Sequence, residues 1–185
     1  MFKVKTINNI SPVGIEKLRK LGCTVGEEID DPDGIIVRSE DMHGFTPGSK
    51  LIGIARAGAG YNNIPVERLT EQGIVVFNSP GANAEAVKEQ TLCSLVMSSR
   101  DVLGSIDWVK SISGEGDRIP ELVEHGKSAF SGPELMGKTI GVLGLGATGA
   151  MVANACLGLD MTVIGYDPFM SVDAAWRLSR EVIHA

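Results

Sequence analysis

Lys138-Thr139-Ile140-Gly141-Val142-Leu143-Gly144-Leu145-Gly146-Ala147-Thr148-Gly149 runs from an apolar strand through a glycine turn into a helix. The helix continues in small residues, with Gly149, Ala153 and Cys156 spaced to lie against a sheet. In such a turn Gly144 permits the tight bend, Gly146 leaves the backbone open to an anion, and Gly149 lets helix and strand pack closely. The free N–H groups at the helix start then face that anion. In a chain with 23 glycines the Gly-x-Gly-x-x-Gly spacing is weak by itself. The strand before it and the helix after it supply the specificity.

Asp167 ends the next apolar run, Thr162-Val163-Ile164-Gly165-Tyr166, and stands 23 positions after Gly144. A carboxylate there accepts hydrogen bonds from ribose hydroxyls and repels the additional phosphate of NADP. The segment therefore predicts NAD as cofactor, contacted by Gly144, Gly146, Ala147, Thr148, Gly149 and Asp167. A tight turn plus a surface aspartate is the plain alternative, and it leaves the order strand, loop, helix, strand, acid unexplained.

Outward from this loop, apolar strand-like runs alternate with helical patterns, the mark of a parallel α/β sheet. Strands are predicted at 2–7, 23–25, 35–38, 51–55 and 74–77. A helix capped by Ser11-Pro12 stops near Gly22, and another covers 65–72. Residues 84–112 read as helical, first continuous and then looser, until Gly114-Glu115-Gly116-Asp117 breaks them. A short helical turn is expected at 121–125, a strand at 138–143, a helix at 147–157 and a strand at 162–166. Residues 171–185 read as the start of one more helix. A lone strand-helix-strand piece leaves both sheet faces open, so the chain is expected to be a truncated product of a longer gene.

Composition narrows the class. Hydrophobic residues at 43% against 22% charged suffice for a buried core. The net charge of -6, with 23 acidic and 17 basic residues and no basic run, argues against nucleic-acid or membrane-surface partners. No apolar run approaches the roughly 20 residues that cross a bilayer. Cys23, Cys93 and Cys156 are far apart among apolar neighbours and predict buried free thiols in a reducing cytoplasm.

Three further segments carry a resemblance: Ile36-Val37-Arg38-Ser39, Ala55-Arg56-Ala57-Gly58-Ala59-Gly60-Tyr61-Asn62-Asn63-Ile64 and Asn78-Ser79-Pro80-Gly81-Ala82-Asn83. In order and spacing ahead of Gly144 they resemble the D-2-hydroxyacid dehydrogenases, and Arg38, the Arg56 loop and Lys88 resemble the phosphoglycerate dehydrogenase branch. The resemblance covers essentially the whole chain. It implies a flavodoxin-like substrate domain at 1–98, then the first part of a truncated Rossmann NAD-binding domain at 99–185, with the active site between them. It also implies a homo-oligomer, dimer or tetramer.

By the same resemblance the backbone of Ala57-Gly58-Ala59 faces the substrate carboxylate, and Ala59 approaches the nicotinamide. Arg38, with Ser39 beside it, and Arg56 hold the phosphate of a phosphorylated hydroxy acid. Asn83 and Lys88 add contacts, although a capping Asn and a solvated lysine are the simpler readings. Lys127 is similar in position to a basic residue that reaches across the dimer in some relatives, where an ordinary exposed lysine is the commoner case.

The family's catalytic Arg, Glu and His fall in the later part of the NAD domain. None of His43, His125 and His184 matches that histidine, and His184 comes only 17 residues past Asp167. The chain is therefore expected to be inactive alone. Ala147 and Thr148 stand where relatives often carry Arg and Ile, which removes one cofactor phosphate contact. The implied full-length activity is oxidation of 3-phosphoglycerate to 3-phosphohydroxypyruvate with NAD, in serine synthesis. The alternatives are another hydroxy-acid dehydrogenase, such as a glyoxylate/hydroxypyruvate reductase or a D-lactate dehydrogenase, and a non-catalytic NAD-sensing binding protein.

Overall fold

The structure is a computed structural model and describes residues 1–185. Its contacts divide it into two compact units, Met1–Asn83 and Ala84–Ala185. The sequence put the divide after the helix that begins at Ala84. That helix belongs with the second unit because its contacts are with the helix of the glycine loop.

The first unit contains β1 (Lys3–Ile7), α1 (Pro12–Lys20), β2 (Thr24–Gly26), β3 (Gly34–Val37), β4 (Gly53–Arg56), α2 (Val66–Glu71) and β5 (Val75–Phe77). All pairs are parallel, in the order β2-β1-β3-β4-β5, which is the flavodoxin-like winding. Alternation along the strands turns Ile35, Val37 and Ile54 to one face. Met42, Leu51, Ile64, Leu69 and Ile74 close over that face and complete the core. Ser11 does stand at the N-cap of α1, but its side chain makes no capping bond. Its carbonyl accepts from the N–H groups of Gly14 and Ile15 instead, at 3.0 and 3.2 Å.

The second unit contains α3 (Ala84–Ser99), α4 (Val102–Ser111), α5 (Ile119–Gly126), β6 (Thr139–Leu143), α6 (Ala147–Leu157), β7 (Thr162–Tyr166), α7 (Val172–Arg177) and β8 (Ile183–His184). The helical stretch from Ala84 is thus two helices. The first ends at Ser99, and Asp101 caps α4, its carboxylate accepting from Gly104 N at 2.9 Å. The closing segment also departs from expectation. After the six residues of α7 the chain extends and pairs as β8 beside β7, with Val182 buried.

One face of the β6-β7-β8 sheet is covered. Val142 and Val163 pack against Val152, Ala153 and Cys156 of α6, with Leu92 and Leu95 of α3 beyond them. The opposite row, Leu143, Ile164, Tyr166 and Ile183, is exposed. Away from the sheet, the Trp108 ring packs on Phe130 at a centroid distance of 5.2 Å. No helix is long and apolar enough to cross a membrane.

The thiols are not uniformly buried: Cys156 is buried, Cys23 half-buried and Cys93 exposed on α3. Burial pushes the Cys156 thiol above its usual range. A disulfide-exchange reagent at neutral pH should therefore label Cys93 fast and Cys23 more slowly, and reach Cys156 only after unfolding. Ile54, fully buried in the central strand β4, gives a test of the first core. Ile54→Ala should cost about 2–5 kcal/mol in urea unfolding.

Candidate functional site

In each compact unit the candidate residues lie at or just past the carboxyl ends of parallel strands. In the first unit these are Asn8 after β1, Arg38-Ser39 after β3, Arg56 at the end of β4 with Ala57-Gly58-Ala59 following, and Asn78-Ser79 after β5. The register Val37 to Arg56 sets Arg38 and Arg56 on neighbouring strand ends, and adjacent strands lie about 4.8 Å apart. Arg38 is exposed and Arg56 half-buried. Neither takes part in any of the chain's ion pairs. A cleft of about 560 Å³ opens beside Arg38, lined by Asn8, Asn9, Arg38 and Ser39.

Asparagine suits the turn that brings β1 to this rim. Asn8 has φ +67°, which its short polar side chain tolerates better than most. Its side-chain oxygen accepts from Ser39 N at 2.9 Å and Glu40 N at 2.8 Å, fixing the segment that carries Arg38. Asn63 donates to Glu40 O at 2.7 Å from the other side. The Ala57-Gly58-Ala59 loop is tied in turn. Ala57 N donates to Val37 O at 2.8 Å, and Gly58 N to Arg56 O at 2.9 Å. Two of the three N–H groups expected to face an anion are thus engaged inside the unit.

Asn83 is exposed immediately before α3. Lys88, on the first turns of α3, forms an ion pair with Glu85. Asn83 is the last residue of the first unit and Lys88 lies in the second. Lys127 is likewise paired, with Glu124 at 2.7 Å.

In the second unit the glycine loop has the predicted form. Gly144 sits at φ +86°, a conformation that favours glycine, and its N–H reaches Tyr166 O at 2.8 Å. A Cβ on residue 149 would overlap the Gly144 carbonyl oxygen, so the helix approaches the turn as closely as it does only with glycine there. Residue 146 is different. A Cβ at that position would meet no protein atom, so the space in front of it is open. No side chain caps the first turn of α6, and Ala147, Thr148 and Gly149 begin the helix there. This open N-terminus fits a dinucleotide phosphate.

Asp167 is in place at the end of β7, with a second duty that the sequence did not disclose. One carboxylate oxygen accepts from Leu145 N at 2.7 Å and the other from Phe169 N at 2.9 Å. Each oxygen keeps a second acceptor position, so ribose hydroxyls fit there as well. The histidines sit elsewhere. His43 is bound at 2.6 Å to Asp41, which it holds below the usual carboxylate range through backbone and side-chain hydrogen bonds. His125 lies in α5 and His184 in β8.

Sequence reasoning passed over Asn8, Asn78 and Ser79 as rim-forming residues. A usable signal existed for Asn8, an asparagine straight after a strand where a left-handed turn is needed.

The model of the D-isomer specific 2-hydroxyacid dehydrogenase catalytic domain matches residues 8–184. A D-3-phosphoglycerate dehydrogenase of Archaeoglobus fulgidus is 31% identical over 98% of this chain and 35% of its own length. One of Methanocaldococcus jannaschii is 36% identical over 85% of this chain and 28% of its own. The chain spans about a third of the length of these relatives. Among solved structures, an NAD+-bound 3-phosphoglycerate dehydrogenase of Entamoeba histolytica is 28% identical with a TM-score of 0.67. It matches over 94% of this chain and 56% of that one. A D-isomer specific 2-hydroxyacid dehydrogenase fold from Polaromonas reaches a TM-score of 0.74 at 18% identity, covering all of this chain and 60% of that one.

The contact of Gly149 with the Gly144 carbonyl is testable by itself. Gly149→Ala forces α6 away from the turn and should destabilise the second unit by about 1–3 kcal/mol. Chemical unfolding followed by Trp fluorescence would measure it, and an unchanged midpoint would contradict the packing.

Proposed function

Since this chain belongs to the D-isomer-specific 2-hydroxyacid dehydrogenase family, we propose that it carries the acid-binding and NAD-binding elements of an enzyme that oxidises 3-phosphoglycerate to 3-phosphohydroxypyruvate. The observation that carries this reading is the pair of arginines free of ion pairs, Arg38 and Arg56, at adjacent strand ends, with an open cleft beside Arg38. A phosphate needs such cations, and guanidinium forks suit its oxygens. An unphosphorylated acid needs fewer charges.

In this reading Arg38 and Arg56 bind the phosphate, with Ser39 at the cleft wall. The loop Ala57-Gly58-Ala59 receives the carboxylate, chiefly through the N–H of Ala59, because those of Ala57 and Gly58 are already used. In the second unit the N–H groups of Ala147, Thr148 and Gly149 would hold the pyrophosphate of NAD, Gly146 would leave room for it, and Asp167 would orient the adenosine ribose. When bound, NAD accepts the hydride removed from the hydroxyl-bearing carbon. His43, His125 and His184 have no place in that chemistry, so the chain binds both ligands without turning them over. Its partners are a small phosphorylated acid and further copies of itself. The names of the relatives, D-3-phosphoglycerate dehydrogenases in Archaeoglobus fulgidus and Methanocaldococcus jannaschii, support the same choice of substrate.

Calorimetric titration of the chain with 3-phosphoglycerate and with glycerate tests the substrate class. The phosphorylated acid should bind at least about tenfold more tightly, and Arg56→Ala should abolish most of that difference, since a charge-assisted hydrogen bond is worth about 1.5–3 kcal/mol. Equal affinities would remove the phosphate site and leave the unphosphorylated hydroxy acids. Absence of NAD binding in the same instrument, or its persistence unchanged in Asp167→Ala, would remove the cofactor half.

A further inference from the structure

We propose that Ser79 is a positioning residue that holds the Arg56–Gly58 loop in its acid-binding shape, an inference that rests on reading that loop as the acid site. Regular pairing of β4 with β5 ends at Ala55 and Phe77. Beyond that point the loop is tied on the β3 side by Ala57 N to Val37 O and within itself by Gly58 N to Arg56 O. On the β5 side Ser79 holds it with three bonds. Its hydroxyl donates to Arg56 O at 2.9 Å and accepts from Gly58 N at 3.2 Å. Its own N–H donates to Gly58 O at 2.9 Å. A hydroxyl has one proton to give and lone pairs to receive, so a single side chain serves as donor and acceptor on both sides of Ala57.

The bond to Arg56 O governs a side chain as well as a backbone. The Arg56 guanidinium folds back over Gly58, against the Cα where any Cβ would collide with it. Its Nε is buried and has no partner. The position of the cation therefore follows the position of the Gly58 backbone, which the Ser79 hydroxyl fixes. Asn78 adds a tie one step further on, donating to Ala59 O at 2.8 Å. Alanine at position 79 would keep the backbone bond to Gly58 O and lose both hydroxyl bonds, freeing the loop without disturbing the core beneath it.

The test uses the 185-residue chain with Ser79→Ala and Ser79→Thr, calorimetric titration of 3-phosphoglycerate and of NAD, and the amide-exchange rate of Gly58 without ligand. Ser79→Ala should weaken 3-phosphoglycerate about tenfold, as expected for the loss of one or two neutral hydrogen bonds. NAD affinity should stay within about twofold, because the elements read as holding its pyrophosphate and adenosine ribose belong to the other compact unit and only Ala59 stands in this loop. Gly58 exchange should quicken several-fold, and Ser79→Thr should return both values toward those of the parent. Unaltered 3-phosphoglycerate affinity in Ser79→Ala overturns the proposal, and so does an equal loss for both ligands, which would mark a general structural role. If the parent chain binds no 3-phosphoglycerate, the functional reading falls. Gly58 exchange then decides the loop-holding role separately: quickened by Ala and restored by Thr it stands, unchanged it falls.

Discussion

Because every strand pair in both sheets is parallel, each strand must be followed by a crossover, and the carboxyl ends collect along one side of each sheet. That single constraint decides where chemistry is possible. Asn8, Arg38, Arg56 and Ser79 follow four strands of the first unit, and Gly144 and Asp167 follow two of the second. The buried residues, Ile35, Val37 and Ile54 in one sheet and Val142 and Val163 in the other, hold those ends at fixed spacing. The loops beyond are free to vary in what they present.

The first-unit rim is organised by neutral side chains acting on backbone, with its two cations left unpaired. Asn8, Asn63, Asn78 and Ser79 each bond to a main-chain group 19–32 positions away. Salt bridges at the same places would have neutralised the arginines that an anion requires. Amide and hydroxyl groups supply comparable order and leave the positive charge uncommitted. The ion pairs that do exist lie elsewhere, mostly three or four residues apart on exposed helix turns, where each contributes little.

The features legible in the sequence were those with local or periodic signatures. The glycine loop, the parallel sheet implied by alternating strands and helices, and the placing of both arginines at strand ends all depend on short-range pattern. Less legible were bonds that depend on register between distant strands. Nothing adjacent to Ser79 announces that its hydroxyl will meet Arg56 O, and Asp167 gives no sign that Leu145 and Phe169 will occupy it. The break at Arg100-Asp101 did have a local mark, an aspartate able to cap, which the apolar continuity across it concealed. At the end of the chain the apolar residues of 172–183 suited a helix by composition. Pairing with β7 and burial of Val182 took the last of them into a strand instead. Cys93 shows the same limit, since apolar neighbours in sequence did not place its own face inward.

The carboxylate of Asp167 fastens the amide of Leu145, inside the glycine turn, and that of Phe169, beyond β7. A turn already fastened before any dinucleotide arrives gives up little conformational freedom on binding. The same bond restricts how the protein can evolve. If Asp167 meets the adenosine ribose as proposed, an apolar or basic replacement there, one route toward tolerating a 2′-phosphate, also releases Leu145 and Phe169. A lineage moving from one nicotinamide cofactor to the other would therefore need a second substitution to rebuild the turn, and the change of preference becomes a two-step path with a loosened intermediate.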